Sequence, residues 1–152
     1  MKKVVTKKGN IFCIDIDNQK RYFQYVADDK TELNSSVIRV FKRIYPTNHI
    51  PKMEEIINDE IDFYAHTVLK VGVWKGAWTK VGFINDLGNT EDIYFKWFDK
   101  DWYTWKINNE MIDIKDCWRD LEKCHLGIVF SYKSILSRIR TGKFPQEVDL
   151  LA

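Results

Sequence analysis

The chain has 152 residues, 45% of them hydrophobic and 14% aromatic, with 24 Lys and Arg against 22 Asp and Glu. This length suits a single domain that buries roughly 70% of its unfolded surface without staples, and the near-balance of charge argues against a protein that holds nucleic acid by its overall charge. The odd count of cysteines (13, 117 and 124), the lack of an apolar run near the about eighteen residues of a membrane span, and a basic N-terminus with no signal-peptide core after it lead us to expect a cytoplasmic protein.

Gly9–Ile16 reads as the first strand, with Phe12, Ile14 and Ile16 on an inward face and Ile11, Cys13 and Asp15 on the other. Asp17–Lys20 has turn chemistry, and Arg21–Ala27 resumes as a strand, giving a hairpin. Asp28–Ser36 is a polar loop. Val37–Ile44 alternates as a third strand with one wet face, carrying Arg39 and Arg43. Pro51 with Glu54 and Glu55 opens a short helix over Lys52–Asp59.

Asp62–Val71 returns to strand composition and leads into Val71–Gly82, which holds Gly72, Gly76, Gly82, Trp74 and Trp78. That crowding predicts a corner between two strands, Val68–Val71 before it and Trp78–Ile84 after. Asp86–Asn89 reads as a turn, and Asp92–Phe98 is aromatic. Trp102–Ile107 and Met111–Ile114 flank a plausible hairpin loop at Asn108–Glu110. Toward the end Ile128, Tyr132, Ile135, Leu136 and Ile139 share one helical face, and Gly142 stands where a left-handed C-cap belongs, so a helix is expected over about 128–141.

Candidate chemistry is thin. Cys117, Cys124 and His125 lack the spacing of a structural zinc set, and buried cysteines explain them better. His66 fits a hydrogen-bonded strand histidine better than a general base. Asp15 and Asp17 share a strand face only if Asp17 does not begin the turn. The glycines at 72, 76 and 82 do not have phosphate-loop spacing. No catalytic, cofactor or metal residues are assigned. Two surface features stand out instead. Met53–Asp62 carries Glu54, Glu55, Asp59, Glu60 and Asp62 with no base, while Ser131–Gln146 carries Lys133, Arg138, Arg140 and Lys143 with no acid. Six tryptophans are too many for all to be wholly buried, which points to Trp102 and Trp105 as interface aromatics.

Four stretches carry a family resemblance. Lys8-Gly-Asn-Ile-Phe-Cys-Ile14 resembles the opening Gly-Asp-Val-Phe-Ala-Ile-Pro strand of the immunity protein 26 family, with Asn10 in place of the usual Asp and Asp15 where Pro is common. Arg21-Tyr-Phe-Gln-Tyr-Val26 and Ile38-Arg-Val-Phe41 are similar to its second and third strands. Gly76-Ala-Trp-Thr-Lys-Val-Gly82 resembles its Gly-x-Trp-x-x-Ile-Gly signature. The similarity spans about the first ninety residues. It implies a barrel-like scaffold and a cytoplasmic protein that binds and neutralises a cognate toxin of a bacterial polymorphic toxin system, without catalysis.

The expected fold is therefore mainly β, of the α+β kind: a twisted antiparallel sheet curled into a partly open, SH3-like barrel with a C-terminal helix, all in one domain over 1–152. From its charge, the acidic segment Glu54–Asp62 would suit a basic partner such as a nuclease domain. A nucleic-acid-binding small barrel, or a small enzyme using His66 or His125, are the alternative readings.

Overall fold

The computed structural model describes residues 3–30, 33–108 and 121–147. Cys117, Trp118 and the expected Met111–Ile114 strand lie outside these residues. The first hairpin forms as its sequence dictates. Strands β1 (Asn10–Ile16) and β2 (Gln19–Asp29) pair antiparallel, with Ile16 opposite Gln19. The two residues between them, Asp17 and Asn18, take φ of 53° and 60°, the left-handed pair that tight hairpins require. Strand β3 (Ser35–Phe41) follows, then a two-residue β4 (Tyr45–Pro46), helix α1 (Met53–Ile57) and β5 (Ile61–Thr67).

The corner differs from expectation. Val68–Val71 is not a strand, because β5 stops at Thr67 and helix α2 runs over Leu69–Trp74. Leu69 and Gly72, three residues apart, form the buried side of that helix. Gly76 then turns the chain with φ of 71°, and β6 (Thr79–Phe83) returns along β1. Next come β7 (Tyr94–Asp99) and β8 (Asp101–Lys106), joined through Lys100 at φ 65°. Thus Trp102–Ile107 finds its partner in the aromatic segment before it. Short strands β9 (His125–Leu126) and β10 (Val129–Phe130) precede helix α3 (Tyr132–Thr141).

Helix α3 starts four residues later than the apolar spacing predicts. Ile128 falls outside the helix, and Val129–Phe130 pairs with β5 instead. Ser131 is the N-cap, its Oγ accepting from the Ser134 amide at 3.3 Å, and Gly142 closes the helix with φ of 81°.

The main sheet has the order β10-β5-β3-β2-β1-β6, with β4 beside β2, and a second sheet has the order β8-β7-β9. Pairing is antiparallel except for β5–β10 and β7–β9. The fold is mainly β with a C-terminal helix, and among the described residues neither sheet closes into a barrel. One face of the main sheet gathers Phe12, Ile14, Phe23, Ile38, Val40 and Phe63 under Trp78, Phe130, Ile135 and Phe144. The other face is covered twice. Ile11, Cys13, Tyr22, Phe41 and Tyr45 lie under Ile56 of α1, while Val26, Ala27 and Val37 lie under Phe95 and Trp105 of the second sheet.

Double cover removes the wet face expected of β3. Arg39 is buried, its Nε donating to Gln24 Oε1 at 2.9 Å and its Nη2 to the Asp86 carbonyl at 3.0 Å. Gln24 Nε2 donates to the carbonyls of Ile84 and Asp86, so the two buried polar side chains satisfy each other and pin the loop after β6. No helix among the described residues is long and apolar enough to cross a membrane.

Candidate functional site

The acidic run lies on and just after α1, a helix of five residues that is capped at Lys52, after Pro51, and carries Glu54 and Glu55 in its first turn. The fold brings basic groups to it that the sequence does not place nearby. The β3–β5 ladder sets Phe41 opposite Ile61, so the residues that follow Phe41 run beside those that precede Ile61. Arg43 Nη1 donates to Glu55 Oε1 at 3.2 Å, and Lys42 Nζ donates to Glu60 Oε2 at 3.2 Å. Asp59 accepts from the backbone amides of Arg43 and Glu60 at 2.6 and 2.7 Å. Glu54 stays exposed. The segment is therefore a mixed-charge surface, and its bare acidity is largely offset. Ile50, just before the helix, is 86% exposed, whereas Ile44, 51% exposed, turns toward Arg21, Ile139 and Arg140.

Asp62 does not belong to that surface. The β3–β5 ladder passes from Val40↔Phe63 to Phe41↔Ile61 and leaves Asp62 as the extra residue of a bulge. There Arg21 Nη2 reaches its Oδ2 at 3.0 Å and Arg138 Nη2 its Oδ1 at 3.1 Å. Asp62 is the anchor that ties α3 to β2 and β5.

The two tryptophans expected at an interface separate. Trp102 is 39% exposed, edge-on to the exposed Phe98, with Lys96 Nζ 5.6 Å from its ring centroid. Trp105 alternates to the inner side and is 1% exposed, so it cannot meet a partner. Its Nε1 donates to Asp29 Oδ2 at 2.9 Å. The same carboxylate oxygen lies 2.9 Å from His66 Nε2, and Asp29 Oδ1 accepts from the Asn108 amide at 3.2 Å. Burial alone would raise the Asp29 carboxyl. The hydrogen bonds from His66, Trp105 and Asn108 outweigh it and bring its pKa down to about 2. His66 is thus a fully buried strand histidine that links the main sheet to the second one, walled in by Phe95 at 4.2 Å between ring centroids.

His125 has a different task. Its Nδ1 accepts from the Tyr64 amide at 3.3 Å, occupying a donor on β5 just before the Val129↔His66 pairing begins. Burial first, then the charges of Lys96 and Arg138, push the imidazole down to about 4, against an opposing pull from Asp62. An acceptor Nδ1 is what that neutral ring supplies. Cys13 and Cys124 are buried cysteines outside any disulfide, and Cys117 lies outside the described residues. Among the described residues no three His, Cys, Asp or Glu side chains gather as for a metal ion. Asp17 begins the turn and pairs with Arg140 at 3.3 Å, leaving Asp15 alone on its strand face.

The comparisons bear on this scaffold and surface. The sequence model for immunity protein 26 matches residues 7–107, which takes in β1 to β8 and both helices between them. The chain belongs to the immunity protein 26 family. No curated protein and no solved structure matches it. The matched region extends past the first ninety residues to include the β7–β8 hairpin with Trp102. Within this family member, sequence reading missed Lys42 and Arg43. Their only signal was position after β3, and their place beside the α1 acids follows from strand pairing that the sequence does not print.

Proposed function

We propose that this immunity protein 26 family member binds a cognate toxin domain of a polymorphic toxin system and neutralises it by direct contact in the cytoplasm, without catalysis. The observation that carries this reading is the family match across residues 7–107. The contact surface in this reading is α1 and the strand ends beside it, with Glu54, Glu55, Asp59 and Glu60, and the exposed Ile50 just before the helix serves as its apolar anchor. An apolar anchor ringed by charge is how protein interfaces concentrate their affinity. Trp102 with Phe98 is the second candidate anchor. The acids suit a basic partner such as a nuclease domain, whose own phosphate-binding surface is positive.

The test is titration calorimetry of the purified protein with the product of the adjacent gene. A complex that weakens at least about tenfold when Glu54, Glu55, Asp59 and Glu60 are neutralised together supports both the function and the surface. An unchanged affinity removes the acidic segment from the interface. Failure of the unaltered proteins to associate contradicts the function itself.

A further inference from the structure

Two stretches of the chain, residues 1–14 and 68–85, contain lysines but no Asp or Glu. The fold joins them. Lys80 Nζ donates to the Val5 carbonyl at 2.8 Å, and Lys7 Nζ stands 4.2 Å from the centroid of the Phe83 ring. Thr6 and Lys70 line one groove of about 510 Å³, whose wall continues through Lys30, Asn34, Ser35 and Ser36. Among the described residues no carboxylate is ion-paired with Lys7, Lys30, Lys70, Lys75 or Lys80, whereas the acids around α1 meet Lys42 and Arg43. Asp28 also lines the groove and is hydrogen-bonded to the Tyr25 hydroxyl. The near-neutral total of the chain thus hides an uneven field, and this lysine face is one uncompensated part of it.

The same face exposes Trp74 (42%) on α2 and Phe83 (40%) on β6. Among the described residues β6 pairs only with β1. Its free side is guarded by Lys80 and by a bulge at Val81, devices that discourage a further strand. An added β-strand is therefore a poor occupant. Lysines are also depleted from protein–protein interface cores. Amines, hydroxyls and a side-chain amide along a groove, with an accessible indole beside it, match the needs of a phosphate backbone with unstacked bases.

We infer that this face binds single-stranded nucleic acid, with phosphates along Lys7, Lys70, Lys75 and Lys80 and a base stacked on Trp74. Its residues are distinct from those of the α1 surface, so it stands or falls independently of the immunity reading.

The experiment is fluorescence anisotropy of the full chain with a labelled oligodeoxythymidylate of about twelve nucleotides, a typical length for a site of this kind. Binding at about 50 mM salt should weaken as salt rises, with a log–log slope near −3, about −0.7 for each of four phosphates. A Lys7→Glu, Lys70→Glu, Lys80→Glu triple variant, all at exposed positions, should lose at least about tenfold in affinity. Trp74→Ala should weaken binding while Trp74→Phe retains it. A control with Lys133→Glu on α3 should be neutral. Absence of binding, an undiminished triple variant, or poly-L-glutamate binding as tightly as the oligonucleotide would overturn the inference, the last result marking the face as one for acidic polypeptides.

Discussion

Gly72 and Trp78 are fitted to each other across the turn that follows α2. A Cβ built on Gly72 would lie 2.0 Å from Cε2 and Cζ2 of Trp78, and the indole Nε1 donates to the Leu69 carbonyl at 3.0 Å. Trp78 is 2% exposed and meets Phe23 edge-on at 5.1 Å between ring centroids.

Trp78→Ala should therefore cost about 3–5 kcal/mol of stability through cavity formation. Gly72→Ala should cost about 1–3 kcal/mol by overpacking. Because the two act on one contact, their combined effect should fall short of the sum. Urea denaturation of the two single variants and the double checks all three. Wild-type melting in Trp78→Ala would show that the indole is not part of the core.

The corner also shows how far the sequence could be read. Gly76 as a turning residue and Trp78 as core were legible, since a positive φ and a large apolar ring each have a residue signature. The helix between them was not. Leu69-Lys-Val-Gly-Val-Trp74 has strand propensity, and the burial of Leu69 and Gly72 against Trp78 overrides it. Likewise the alternation of β1 to β3 was plain, but not the cover on both faces. That cover comes from α1, the second sheet and the loop after β6, and the loop's Asp86 carbonyl turns Arg39 from a solvent group into a buried one. Gly82 makes room for Met53 of α1, whose Sδ would be 2.5 Å from a Cβ there, a neighbour that no local pattern announces. Of the surface residues, the acids of α1 were visible as a run. Their partners Lys42 and Arg43, and the burial of Trp105, depend on register.

Asp29 is the node between the two sheets. Asp29→Ala would leave the N–H groups of Trp105 and Asn108, and the ring of His66, without their shared acceptor in a dry core, at a cost of about 3–5 kcal/mol. With a folded pKa of about 2 and an unfolded value of 3.8, the carboxylate's contribution is complete above pH 3.8. It is lost as pH falls toward 2, an effect on the order of 2 kcal/mol. Denaturant titrations on acidification, with Asp29→Asn as the non-titrating comparison, read both effects.

His125 predicts a second acid limb at higher pH. Its folded pKa is about 4 against an ordinary 6.5, so between these values the unfolded chain binds a proton that the native chain excludes. Stability should therefore be constant above pH 6.5 and fall as pH drops toward 4, by on the order of 3 kcal/mol in all. His125→Gln keeps an acceptor for the Tyr64 amide and should flatten this limb. An equally steep limb in that variant would assign it to other groups.

The ion pairs should divide by burial. Glu60→Gln removes an exposed pair with Lys42 and should change stability by less than about 0.5 kcal/mol. Asp62→Asn weakens the clamp of Arg21 and Arg138 in the β5 bulge and should cost about 1–3 kcal/mol. Thermal melts of the two variants distinguish a surface role from an anchoring one.

The most direct measurement of the central claim is growth of cells expressing the product of the adjacent gene, with and without this protein. The immunity reading predicts arrested growth in its absence, rescue in its presence, and co-purification of the two as a complex. Continued arrest with the protein folded and abundant would contradict it.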